Sequence, residues 1–81
     1  YETVVVNKIS GSGTVIYDNL RKWVVPVFVV TAPVTVVFGN TSTTLDAGEY
    51  TIPAVEFKQG QNIVTYTGDT LVTVKYQEGG L

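Results

Sequence analysis

Seven carboxylates carry most of what this chain could offer to acid–base or metal chemistry: Glu2, Asp18, Asp46, Glu49, Glu56, Asp69 and Glu78. Histidine and cysteine are both absent. Their absence removes the usual neutral-pH general base, the Ser-His-Asp arrangement, thiol catalysis and thiolate metal sites. One remaining route is a carboxylate pair of the kind that hydrolyses glycosides. Asp18, Asp46, Glu49 and Asp69 fall in or beside turn signals, where acids solvate a loop or bond its backbone, so no catalytic pair is expected. A calcium site is the other route, because Asp46 and Glu49 flank Ala47-Gly48. Backbone carbonyls would complete a shell of roughly 6–8 oxygens, but two acids at this spacing are a weak signal, so no metal and no cofactor are expected. Gly11-Ser12-Gly13 lacks the lysine and following helix of a phosphate-binding loop. Asn40-Thr41-Ser42 matches the glycosylation acceptor pattern, which chance often supplies.

Aromatic residues offer binding rather than catalysis. Trp23, Tyr17 and Tyr1 stand near the polar Asn19, Arg21 and Lys22. An exposed ring there would stack on the apolar face of a sugar, whereas a buried Trp23 would cap the core or pack at a domain junction. The buried reading is the one expected. Tyr17, Arg21, Lys22 and Trp23 are the candidate ligand or interface residues. The net charge is −2, and the five basic residues (Lys8, Arg21, Lys22, Lys58, Lys75) are mostly scattered. Nucleic-acid binding needs a concentrated basic face, so no nucleic-acid partner is expected. Trp23–Val30 is shorter than the ~20 residues of a membrane helix, so no membrane partner is expected either.

The elements that must position these residues are strands. Hydrophobic residues make up 44% of the chain. Valine far outnumbers leucine, and the stiff side chains of valine and threonine suit strands. No stretch repeats an apolar residue at helical spacing over three turns. Strands are predicted at Thr3–Ile9, Thr14–Tyr17, Trp23–Val30, Val34–Phe38, Ser42–Leu45, Glu49–Ile52, Ile63–Thr67 and Leu71–Tyr76, with a very short one at Val55–Phe57. Ser10-Gly11-Ser12-Gly13 would join the first two as a hairpin. Trp23–Val30 is apolar on both faces, so it is a core strand or an edge covered by another subunit. Pro26 favours an edge or bulge because it cannot donate to a ladder. The organising stretch is Val34–Tyr66, with turns at Asp46–Glu49 and Lys58–Asn62.

About eight strands, with turn signals roughly every 8–12 residues, predict one all-β domain, a small sandwich or barrel. Eight strands suit a jelly roll, with a hairpin meander as the alternative. The expected core is Val5, Val15, Phe28, Val30, Val36, Phe38, Leu45, Tyr50, Ile52, Phe57, Val64, Tyr66, Val72 and Val74. A chain that starts at Tyr1 reads as a piece excised from a longer protein.

A run of short motifs in order carries a family resemblance. Pro26-Val27-Phe28-Val29-Val30 is followed by Val34-Thr35-Val36-Val37-Phe38-Gly39, then Leu45-Asp46-Ala47-Gly48-Glu49-Tyr50-Thr51-Ile52-Pro53. Gly60-Gln61-Asn62-Ile63-Val64 and Val72-Thr73-Val74-Lys75-Tyr76-Gln77-Glu78-Gly79-Gly80-Leu81 complete it. From about residue 24 onward the chain resembles the C-terminal domain of phage distal tail or tail-component proteins. The resemblance implies a galectin-like or jelly-roll sandwich and a non-enzymatic structural role in the virion tail or baseplate, in a protein made in the bacterial cytoplasm. It also implies tail or baseplate proteins and further copies of the chain as partners. Two rivals stand beside it: a carbohydrate-binding module that contacts host cell-wall glycan, and an immunoglobulin-like spacer on a bacterial cell surface.

Overall fold

Alternation of apolar and polar residues in the sequence becomes alternation of buried and exposed ones in space, as the pleat requires. Along Thr70–Gln77, every second side chain (Thr70, Val72, Val74, Tyr76) is buried and the residues between are not. A computed structural model describes residues 2–20 and 23–77. These residues form eight strands: β1 (Glu2–Ile9), β2 (Ser12–Asn19), β3 (Val27–Val30), β4 (Val34–Phe38), β5 (Thr41–Leu45), β6 (Gly48–Thr51), β7 (Gly60–Gly68) and β8 (Thr70–Gln77). They make two antiparallel sheets of four, ordered β1-β8-β3-β6 and β2-β7-β4-β5. Pairing first with last, second with seventh, third with sixth and fourth with fifth is the winding of a jelly roll.

The winding has a simple origin. Ile9 faces Thr70 at the end of one sheet, and Ser12 faces Thr67 at the start of the other. The register therefore runs unbroken across the corner, so β1–β2 and β8–β7 form one long two-stranded ribbon folded over on itself. A second unbroken register joins β3–β4 to β8–β7: Val30 faces Val72, and Val34 faces Gly68. The corners at Ser10-Gly11 and at Asp69 are tied directly. Gly11 N–H donates to Asp69 Oδ1 at 2.9 Å, and Gly68 N–H donates to the Gly11 carbonyl at 2.7 Å.

Two expectations are corrected here. The Ser10–Gly13 turn does not close a hairpin, because β1 and β2 lie in different sheets. Gly11, at φ 76°, turns the chain from one layer to the other. Of the two readings of the apolar run after Trp23, the core strand holds, and the edge or bulge that Pro26 favoured does not. β3 begins after Pro26 and pairs on both sides, with β8 and β6, which explains its two apolar faces. The missing amide hydrogen of Pro26 costs the ladder nothing at that position.

The core lies between the layers. Phe28, Val30, Val36, Leu45, Ile52, Phe57, Val64, Tyr66, Val72 and Val74 are buried as expected, and Val5, Val15, Phe38 and Tyr50 pack against them half-buried. Ile9, Tyr17, Val34, Val55 and Tyr76 join the core as well. Burying each large apolar side chain contributes about 1.5–3 kcal/mol, so these five are a substantial part of what holds the layers together.

Candidate functional site

The sandwich has two unlike ends. At one lie the tight corners at Ser10-Gly11, Thr31–Pro33, Asp46-Ala47 and Asp69. At the other lie the long connections: the segment from Leu20 to Pro26, the segment from Ile52 to Gln59, and the Gly39-Asn40 turn. The second end carries the residues singled out for binding.

Trp23 sits there with its side chain 66% exposed, beside Leu20 at 72%. The expectation that Trp23 caps the core is therefore corrected. Its neighbour Val24 is anchored by two backbone bonds to Phe57: Val24 N–H donates to the Phe57 carbonyl at 2.8 Å, and Phe57 N–H returns one at 2.7 Å. These bonds pin the backbone one residue after the indole. Tyr17, the second ring expected to face a ligand, is 1% exposed and belongs to the core. The alternation that turns Val15 inward also turns Tyr17 and Asn19 inward. Arg21 and Lys22 lie outside the described residues.

An aromatic cluster supports this end. Tyr17 stacks on Phe57 with centroids 5.2 Å apart, and Tyr76 meets Phe57 edge-on at 5.3 Å. Phe38 lies against Phe57 at 5.9 Å. The polar tips are satisfied inside: Tyr17 and Tyr66 share a hydroxyl–hydroxyl bond of 2.7 Å, and Tyr76 Oη donates to the Asp18 carbonyl at 2.7 Å. Burial pushes the Tyr17 hydroxyl up to about 12, against a smaller lowering from its bond to Tyr66. Burial raises Tyr66 as well, and the neighbouring Tyr17 adds to the rise. Both therefore stay neutral near pH 7, as a dry core requires.

Asn62, at the end of the turn expected over Lys58–Asn62, is more than a turn residue. It is 5% exposed and clamps the chain entering β7. Its Oδ1 accepts from Lys58 N–H at 2.8 Å, and its Nδ2 donates to the carbonyls of Lys58 at 2.8 Å and Gly60 at 3.2 Å. Asn19 is buried alongside and donates to the Phe57 carbonyl at 3.3 Å. The signal was present in the sequence: both asparagines fall on the inward phase of their strands, where a polar residue must bring its own partners.

A shallow hollow of about 430 Å³ opens beside this clamp, lined by Phe38, Gly39, Lys58, Gln59, Gln61, Asn62 and Ile63. Lys58 is its only charged residue, and the Asn62 amide is already committed to the backbone. The hollow can hold a polar ligand but brings no acid–base pair to it. The carboxylates are dispersed. Asp18 is exposed on β2, Asp46 and Glu49 lie at the β5–β6 corner, Glu56 is on the connection to β7, and Asp69 is bonded to Gly11. Among the described residues, no three acidic or other metal-ligating side chains converge.

The outer faces of the two sheets differ. On β2-β7-β4-β5 two cross-strand rows are mostly hydroxyls, Ser12, Thr67, Thr35 and Thr44 in one and Thr14, Thr65, Val37 and Ser42 in the next, and the row after them pairs the exposed Ile16 and Ile63. Thr35 Oγ1 and Thr44 Oγ1 are 3.1 Å apart, and Thr14 Oγ1 and Thr65 Oγ1 are 3.3 Å apart. On β1-β8-β3-β6 the rows mix valines with polar and charged residues: Val4, Lys75, Val27 and Thr51 in one, Val6, Thr73, Val29 and Glu49 in the next. Val4 and Val6 are more than half exposed, and Leu71 at the corner is 42% exposed. No helix among the described residues is long and apolar enough to cross a membrane. No family model, curated protein or solved structure matches this chain.

Proposed function

We propose that this chain is a non-enzymatic assembly module of a phage or prophage tail protein, working in the distal tail or baseplate through its surfaces. The observation that supports the assembly reading is the set of large apolar side chains left exposed on the outer faces of both sheets, Val4 and Val6 on one and Ile16 and Ile63 on the other. Antiparallel sandwiches ordinarily turn polar residues to water, and grouped exposed apolar ones suit an interaction surface. The dispersed carboxylates and the lack of histidine and cysteine favour the same reading. The tail assignment draws on the ordered turn motifs of Pro26–Gln77, and the jelly-roll winding agrees with the fold that this resemblance implies. Antibody labelling of induced particles by electron microscopy tests it. The expected result is label at one end of the tail. Label confined to the bacterial cell surface would refute the assignment.

One observation favours a second reading. Trp23 is exposed, one residue before the Val24–Phe57 bridge, at the same end of the sandwich as an amide-lined hollow. Exposed indoles stack on sugars, so this end could hold cell-wall glycan. Titrating the Trp23 emission with host cell-wall polysaccharide separates the two. A saturable blue shift supports glycan binding, and an exposed-type emission that ignores glycan leaves Trp23 to a protein partner.

A further inference from the structure

We infer that the free edge of β1 pairs with the β1 edge of a second copy of this chain, antiparallel and centred on Val5. The pairing rests on the strand's own residues. It holds whether the parent is a tail protein or a glycan binder, so its failure would leave the proposed function standing.

Among the described residues the first sheet ends at β1, and no described strand pairs with its outer side. Such an edge is a template for another strand unless charge, proline or a bulge blocks it. β1 has no proline and no bulge over its length, and its register with β8 is regular from Glu2 to Ile9. Outward on this strand point Glu2, Val4, Val6 and Lys8, all exposed; inward point Thr3, Val5 and Asn7, only half-buried at the open side of the sandwich.

A twofold axis at Val5 matches every position. Val5 faces Val5, Val4 faces Val6, Thr3 faces Asn7 and Glu2 faces Lys8. Outward residues meet outward ones, so the exposed Val4 and Val6 of one copy pack against Val6 and Val4 of the other. The charges meet as opposites twice, once at each end of the pair. Sliding the strands by two residues in either direction keeps the faces aligned but puts Lys8 or Glu2 against a valine. An isologous twofold contact of this kind is the commonest route to a homodimer.

The other edges lack this self-complementarity. β2 carries one charge, Asp18, with no cation to face it. β5 is uncharged. β6 is short and carries Glu49 alone.

Charge exchange tests the register. Sedimentation of the 81-residue chain at low salt, across micromolar to millimolar concentrations, is expected to show a monomer–dimer equilibrium. Glu2 and Lys8 are exposed, so Glu2→Lys and Lys8→Glu leave the fold intact, which circular dichroism checks. Each single change opposes like charges at both ends of the pair and is expected to weaken the dimer about ten-fold. The double variant restores opposite charges and is expected to return to within about three-fold of the parent. A chain that stays monomeric throughout, single variants that dimerise like the parent, or a double variant as weak as the singles would each overturn the inference.

Discussion

Replacing Asn62 by alanine should unfasten the entry to β7 without touching the hydrophobic core. The substitution removes the oxygen that accepts from Lys58 N–H at 2.8 Å. It also removes the nitrogen that donates to the carbonyls of Lys58 at 2.8 Å and Gly60 at 3.2 Å. The contact to the Tyr17 carbonyl, at 3.4 Å, is too long to count for much. Three net hydrogen bonds at about 1 kcal/mol each give about 3 kcal/mol. Lys58 and Gly60 are exposed, so water can recover part of the loss, and the expected cost is about 2–3 kcal/mol. For a domain of this size that lowers Tm by about 10–20 °C. Urea unfolding followed by far-ultraviolet circular dichroism measures it, with an unchanged slope confirming that the cost is one of stability. Gln59→Ala is the control: its side chain makes one exposed contact of 3.4 Å, and its loss should stay within about 0.5 kcal/mol. If Asn62→Ala costs no more than that, the clamp does not hold this end of the sandwich.

Three other outcomes follow from the same packing. The Tyr17 hydroxyl is pushed up to about 12 in the folded chain, while an unfolded tyrosine titrates near pH ~10. The folded state thus keeps a proton the unfolded state releases, so stability is complete below pH ~10 and falls as pH rises toward ~12, by about 2–3 kcal/mol from Tyr17 alone. A urea midpoint that does not move between about pH 9 and about pH 11.5 would contradict this. Gly68→Ala places a methyl group 2.7 Å from the Pro33 carbonyl oxygen at a φ of +144°, and should cost about 3 kcal/mol or more in the same assay. Trp23→Ala should change stability by no more than about 0.5 kcal/mol, because its ring is in solvent; a larger loss would mean the ring packs on its own domain.

The strands were legible because the period of two is local. Val34–Phe38 alternates in the sequence, and β4 occupies that same span. What the local pattern could not carry is which strand pairs with which. Two strands around Ser10–Gly13 look like a hairpin to any reading confined to neighbours. The pairing is decided by register with β7 and β8, far along the chain. Pro26 misled for a related reason: its missing donor matters only inside a strand, and the strand starts one residue later. At the candidate site, the aromatic and polar types at residues 17–23 drew attention to the end of the fold where the long connections lie. Which ring faces water depends on strand phase, and that phase buries Tyr17. Trp23 lies in a connection, where no periodicity speaks.

The unbroken ribbon also governs when this protein can come into being. β8 lies between β1 and β3, and β7 lies between β2 and β4, so the centre of each sheet is built from late segments. A chain emerging from the ribosome presents β1 and β2 long before either has a partner. Until β7 and β8 arrive, only β3 to β6 can pair among themselves. Nucleation must then close nearly the whole chain at once, bringing Glu2 opposite Gln77. Folds dominated by such distant pairings reach the native state in roughly milliseconds to seconds rather than microseconds. The bare β1 strand, with its run of valines, therefore spends its most vulnerable interval alone, and crowded synthesis of many copies is when its edge is most open to another chain.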